Sequence, residues 1–475
     1  MKKLLKSLDT ITDARRPWGN IRHKLVDIVF IGLVSVICGG TDFVHMEDTG
    51  YGKMEWFKNV LELPNGIPDS DTFRRVFERI DPQGLATVLQ DVVAVEGKTV
   101  ALDGKTICGS GNEQHRAYHV VSAWVTESQI TLGQLATEEK SNEITAVPEL
   151  LDMLDVKGST VTADAMSCQR AIAAQIRQGG ADYVLALKGN QPALLEDVKF
   201  YFESERVASH KTNDKDHGRI ESREYFLETD ISWLTQRADW AGLQGIGMVR
   251  STVIQKKNGE LREDCRYFLT SLTDIEAFAH AVRQHWSIEN QLHWQLDVVF
   301  REDACRARQD NSPLNLNIIR KEALHLLKQA DIGKRVSLRR KMAKAAMNND
   351  SLSAIFAQKY MLLPCGILHN ESTCSFLSIQ PMRQKDLFFS SCGFSPGRCT
   401  LSPQGDILGI GGVRNESFCP TGAGRNPWHM VCNGLGRCHC RVLQIPKSKG
   451  PEPHARLCLR CDDCGQLLVT VAAGN

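Results

Sequence analysis

A chain of 475 residues with 42% hydrophobic content has enough apolar material for a sizeable core and is too long for one ordinary domain. Its 57 Lys+Arg against 56 Asp+Glu leave a formal charge of +1, which excludes an overall polyanion-binding excess and confines any nucleic-acid surface to a local patch. The longest apolar run, 25–40, is too short for a bilayer and contains Asp27, and the N-terminus lacks a signal-like apolar segment, so a cytoplasmic protein with no membrane part is expected.

Residues 5–95 are read as a small helical domain that binds DNA. The run at 25–38 predicts a buried helix, and Asp69-Ser70-Asp71 predicts an N-cap before TFRRVFERI, a basic helix with Arg74, Arg75 and Arg79. From Val100 the texture changes to short β-branched and aromatic runs. TVALDGKTI, AYHVVSAWVT and ITLGQLATE suit three successive antiparallel strands. The helix EITAVPELLDMLD, the strand STVTADAM, the helix CQRAIAAQIRQGG and the strand DYVLALKG follow. This element order predicts an α/β fold with an RNase H-like core across 96–357.

The helix ALLEDVKFYFESE leads into a polar segment and three strand-like runs, REYFLETDI, GMVRSTVIQ and CRYFLTSL, read as a β-rich insertion over about 200–270. Helices resume at Ile275 and continue to about residue 357.

Asp103 and Asp164 each close the apolar part of a predicted strand, where two carboxylates can converge at one sheet edge. A carboxylate there is stable when solvated, paired or bound to a cation, and hard oxygen ligands select Mg²⁺ or Mn²⁺. Each aspartate alone is equally well read as a turn former or helix cap. A third carboxylate is not fixed by spacing. His285, Glu289 and His293 share one helix face, which suits a polar stripe, a zinc site or a glutamate aimed at the aspartates, and Asp297, Glu302 and Asp303 are rivals.

The strings IPDSDTFRRVF, ALDGKTICGS, HVVSAW, EEKSNEITAVPELLDMLDVKG, VTADAMSCQ, DYVLALKGNQ, HGRIESREY, HWSIENQLHWQLDVVFREDACRAR and LRRKMAKAA occur in this order. On them, residues from about 5 to 357 closely resemble the H-repeat-associated, ISAs-type transposases of bacterial insertion sequences. The resemblance implies a DDE triad at the Asp of DGKT, the Asp of DAM and the Glu of the HW-x-x-EN helix, here Asp103, Asp164 and Glu289. It also implies two Mg²⁺ or Mn²⁺ ions as cofactors, the element's terminal repeats and target DNA as partners, and a homodimer in the DNA complex. Larger relatives carry Tyr-x2-Arg-x3-Glu-x6-Lys around the glutamate. Only Glu289 keeps that pattern, so Arg283, Gln284 and His285 stand nearest to its DNA contacts.

Lys105, Lys188, Asn190 and Gln191 fall on loops after strands, where a backbone phosphate can be held, although LKGNQ also reads as a strand end with a helix cap. His217, Arg219 and Arg223 of HGRIESR are placed against DNA. The run KRVSLRRKMAKAA, with Lys334, Arg335, Arg339, Arg340, Lys341 and Lys344, supplies the clearest basic stretch. Cys108 stands where relatives commonly show arginine.

Five cysteines precede residue 361 and eleven follow it. The segment 361–475 loses periodicity and the family resemblance together, and is read as disordered or read-through, with a zinc ribbon around Cys458, Cys461 and Cys464 as the competing reading. The expected function is a DNA transposase that cleaves and joins strands. The alternatives are a transposase-derived DNA-binding protein without catalysis and a structure-specific nuclease on the same fold.

Overall fold

The computed structural model describes residues 1–358 apart from 16–20, 90–93, 114, 138–142, 206, 217–218, 256–258 and 334, and beyond them only the backbone of short strands. Residues 1–364 and 365–475 are separate units.

The N-terminal helices are α1 (Lys2–Leu8), α2 (Leu25–Ile37), α3 (Phe43–Gly52), α4 (Met54–Lys58), α5 (Ser70–Arg79) and α6 (Pro82–Leu89). The apolar run is α2, buried along nearly its whole length. Asp69 caps α5 by accepting the Thr72 amide at 2.6 Å, as the sequence predicts. On α5, Arg74 pairs with Glu78 at 2.6 Å and with Asp71 at 3.3 Å, which holds its guanidinium along its own helix.

These helices do not keep a core to themselves. Leu4, Val29, Phe30 and Phe77 are in one buried cluster with Leu316, Ile319, Leu324 and Phe356. Those partners come from α11 (Ser312–Gln329) and α13 (Asn349–Gln358), which flank α12 (Leu338–Met347). Asn315 of α11 donates to the carbonyls of Phe77 and Ile80 at 2.7 and 2.9 Å, tying the ends of the chain's helical segments together. The boundary read at residue 95 is therefore one of element type and not of packing.

The strands β1 (Thr99–Thr106), β2 (His119–Val125), β3 (Ile130–Thr137), β4 (Thr160–Ala163), β5 (Asp182–Leu187), β6 (Ser209–Asp216), β7 (Arg219–Glu228), β8 (Gly245–Gln255) and β9 (Leu261–Thr270) form one sheet. Its order is β3-β2-β1-β4-β5-β9-β8-β7-β6. The first three strands are antiparallel, whereas β1, β4 and β5 are parallel. This half, with its crossover helices, is the RNase H-like core. The insertion pairs β9 onto β5 antiparallel and so lengthens the same sheet.

The polar segment before REYFLETDI is strand β6, SHKTNDKD, which the sequence reading leaves out of the strands. Among the described residues it pairs with β7 alone and ends the sheet. Such an edge strand has no need of apolar alternation, and its charges discourage further pairing.

Alternation along β5 shows the two faces. Tyr183, Leu185 and Leu187 share a core with Val147 and Leu150 of α7 (Glu143–Asp152) and with Ile172 and Ile176 of α8 (Arg170–Gln178). Val184 packs instead with Phe278 and Val282 of α10 (Ile275–Ile288). A Cβ on Gly247 would collide with the Phe278 ring, so the glycine admits α10 closely against β8. Helix α9 (Pro192–Ser204) follows β5, and Leu194 and Val198 join the α7–α8 core.

In the second unit, where the sequence shows no periodicity, Asp386–Phe388, Arg398–Leu401 and Ile407–Leu408 form a three-stranded sheet. Trp428–Val431, Arg437–Gln444, His454–Cys461 and Gly465–Ala472 form a four-stranded antiparallel one. Stretches such as LLVTV have the β-branched content that strands favour. The cysteine side chains that a zinc ribbon would use lie outside the described residues.

Candidate active site

Strands β1 and β4 run side by side with Leu102 opposite Ala163. Asp103 and Asp164 are therefore the next residues along each strand. Alternation sends Leu102 and Ala163 into the α7–α8 core, while Ala101 packs with Ile288 and Leu292 and Thr162 accepts or donates a 3.0 Å hydrogen bond with His285 Nδ1. Asp103 and Asp164, two positions on from Ala101 and Thr162, thus face α10 and its continuation.

That continuation is unusual. At Glu289–His293 and again at Gln295–Val299 the helix widens to i→i+5 hydrogen bonding, as in Phe300 N to Gln295 O at 3.1 Å. Such π-helical turns are costly unless the surroundings support them, and they cluster at functional sites. Here Lys328 donates to the Gln291 carbonyl at 2.8 Å, and Gln129 reaches the Gln291 side chain.

The wide turn brings the stripe His285, Glu289 and His293 to different ends. His285 turns to Thr162, and burial pushes its pKa down to about 4, so the ring is neutral and is not aimed at a phosphate. Glu289 Oε2 lies 3.3 Å from His293 Nδ1, and Asp103 Oδ2 lies 3.5 Å from the same nitrogen. Among the described residues, Asp103, Glu289 and His293 offer ligand atoms that all lie within 4.8 Å of one another. A zinc site from His285, Glu289 and His293 is not formed.

Burial raises the Asp103 pKa to about 6, reinforced by the charges of Asp164 and Glu143 and opposed by His293 and the Gly104 amide. Glu289 is held below its ordinary value, mainly by the hydrogen bond with His293. Asp164 accepts the Met166 amide at 3.0 Å, which shapes the turn after β4.

The rival carboxylates are occupied elsewhere. Lys105, 10% exposed at its side chain, meets Asp297 at 2.7 Å, Glu302 at 3.1 Å and Asp303 at 3.6 Å. Burial works against its ammonium, but these three acids outweigh it and hold the lysine well above its usual range. Glu302 is fully buried and also receives Asn317 and Arg320, at 2.9 and 3.4 Å. Lys105 is therefore an internal ion-pair hub and not a surface phosphate holder. The sequence gives no sign of this, because the three acids lie almost 200 residues away along the chain.

The other expected DNA contacts divide. Lys188 is exposed, one residue past the end of β5, the strand paired with β4. Asn190 donates to the Ala165 carbonyl at 2.6 Å and Gln191 to that of Cys168 at 3.3 Å, so both pin the turn that carries Asp164. Arg223 is paired with Asp214 at 2.6 Å and with Glu221, and Arg283 lies 3.7 Å from Asp214. His217 and the Arg219 side chain lie outside the described residues. On α12, Arg339 and Arg340 are exposed, with Arg339 donating to the Val298 carbonyl at 2.9 Å. Lys341 turns inward and donates to the carbonyls of Leu327 and Ala330 at 2.8 and 2.6 Å, closing the end of α11. Cys108 is exposed, and its amide donates to Asp303 Oδ1 at 3.2 Å.

Residues 88–321 match the family "Transposase DDE domain", and residues 5–93 match "DDE_Tnp_1-associated". The chain is 36% identical to "H repeat-associated putative transposase YhhI" of Escherichia coli (strain K12), over 75% of this chain and 98% of that protein. The chain belongs to the H repeat-associated DDE transposase family. It is also similar to "Putative transposase YncI" of Escherichia coli O157:H7, at 38% identity over 75% of this chain and 95% of that protein. A Xanthobacter autotrophicus relative, "Uncharacterized protein in dhlA 3'region", is 41% identical over 56% of this chain and 93% of its own length. The family thus spans both the helical segment and the sheet, in keeping with the core they share. Among the described residues no helix is long and apolar enough to cross a membrane.

Proposed function

We propose that this chain cleaves and joins DNA strands at the ends of an insertion sequence, with Asp103, Asp164 and Glu289 holding a pair of Mg²⁺ or Mn²⁺ ions. The observation that carries this reading is the meeting of Asp103 and Glu289 at the end of β1, with Asp164 on the neighbouring strand and the competing acids turned to Lys105.

The donor set fits hard divalent cations. Asp103 is a half-buried acid near other acids, and desolvation already holds its pKa at about 6. A bound cation offsets that cost, and carboxylate oxygens are the ligands Mg²⁺ and Mn²⁺ prefer. When bound, two such ions activate a hydroxyl for attack and stabilise the departing oxygen in an in-line displacement at phosphorus. The protein's own residues supply the rest. The turn pinned by Asn190 orients Asp164, the π-helical turn presents Glu289, and Lys188, Arg339 and Arg340 offer cationic surface to a phosphate backbone.

In this reading water attacks first, releasing a 3′-hydroxyl, and that hydroxyl then attacks a phosphodiester in the target. Two protomers pair the two terminal repeats. Incubating the protein with terminal-repeat DNA and Mg²⁺ tests this. Cleavage and joined product are expected, and both should vanish in Asp103→Ala; binding without cleavage would instead support the non-catalytic DNA-binding reading.

A further inference from the structure

We infer that His293 is a ligand of the same metal centre, through Nδ1, making one of its positions a mixed nitrogen and oxygen site shared with Asp103 and Glu289. The inference rests on the proposed metal-dependent function.

Three observations support it. The first is convergence: His293 Nδ1 lies 3.5 Å from Asp103 Oδ2 and 3.3 Å from Glu289 Oε2, from a backbone position one turn beyond Glu289. Both separations exceed the roughly 2.7–2.9 Å of a charge-assisted N–H···O⁻ bond. They approach the ~3 Å spacing of adjacent ligands around an ion with bonds of about 2.1 Å.

The second is confinement. The His293 side chain is 5% exposed, so the imidazole is enclosed by protein on nearly all sides. Leu292 and Leu296, both buried, fix the turn on either side of it. The third is the backbone. The i→i+5 turn that begins at Glu289 and ends at His293 is held open by Lys328 and Gln129 at Gln291, its middle residue. A helical distortion supported from two directions, with two candidate ligands at its ends, is what a pre-organised ligand pair needs.

Imidazole is a borderline ligand that suits transition ions better than Mg²⁺, whereas carboxylates suit both Mg²⁺ and Mn²⁺. The mixed site therefore favours Mn²⁺ over Mg²⁺ more than carboxylates alone would.

Pulsed electron paramagnetic resonance on the full chain loaded with Mn²⁺ reads this directly, because an imidazole nitrogen bound to the ion modulates the echo. Wild type should show nitrogen modulation. His293→Ala should lose it and bind Mn²⁺ about tenfold more weakly. His293→Gln, which keeps more of the side-chain volume, should also lose it while its preference for Mn²⁺ over Mg²⁺ falls. Modulation absent from wild type, or persisting in both variants, would overturn the inference. If Mn²⁺ binding then still depends on Asp103, the proposed metal centre stands without His293; if Asp103→Ala leaves Mn²⁺ binding unchanged, the metal-centre reading itself fails.

Discussion

Asp103 and Asp164 leave neighbouring parallel strands at the same level, one residue beyond the paired Leu102 and Ala163. The pairing places two acids at one sheet edge, and their mutual repulsion adds to the burial that lifts Asp103 to about 6. Relative to its ordinary value of 3.8, the folded protein holds the Asp103 proton more tightly than the unfolded chain does. Between about pH 4 and 6 the native state therefore binds more protons, and this contribution makes stability fall as pH rises through that window. Asp103→Asn should raise the stability of the metal-free protein at pH 7 by on the order of 1–3 kcal/mol, with the gain shrinking towards zero near pH 4. Denaturant melts across that range check it; a gain independent of pH would contradict the assignment.

Lys105 tests structure against DNA contact. Removing its ammonium by Lys105→Met leaves the buried Glu302 with less compensation, so a stability loss of about 3–5 kcal/mol is expected. A surface phosphate contact would behave otherwise, with an unchanged melting temperature and a smaller salt dependence of DNA binding.

The basic stretch on α12 should divide in the same manner. Lys341→Ala removes the partner of carbonyls at the end of α11 and should cost about 1 kcal/mol without altering the salt slope of DNA binding. Arg340→Ala should leave stability within about 0.5 kcal/mol and lower that slope by roughly one. Thermal melts and binding titrations at several salt concentrations separate them.

Asn190 acts on Asp164 through the turn between them. Asn190→Ala frees the Ala165 carbonyl and should reduce cleavage about tenfold, with a higher Mg²⁺ concentration needed for half-maximal rate. An unchanged Mg²⁺ requirement would show that the turn does not position the acid.

Much of this arrangement could be read from the residues, and the failures have physical reasons. The strand-end placement of Asp103 and Asp164 is legible because the apolar alternation of TVALD and TVTAD ends at them. What separates Glu289 from Asp297, Glu302 and Asp303 on the same stretch is not legible, since the three pair with Lys105, a tertiary partner with no local signature. The π-helical turn likewise depends on Lys328 and Gln129, far away in sequence, so helical periodicity could suggest a shared face but not its distortion. SHKTNDKD carries no strand signal because an edge strand needs no apolar face. The common core of Phe30 and Phe356 is a contact between the two ends of the unit that composition cannot show.

The central claim is that Asp103, Asp164 and Glu289 form one metal-dependent DNA-cutting site, and cleavage of terminal-repeat DNA by the three alanine variants in Mg²⁺ tests it most directly. Each variant should fold, bind the DNA and lose at least about a hundredfold in cleavage rate. Normal cleavage by Glu289→Ala, or by either aspartate variant, would contradict the account.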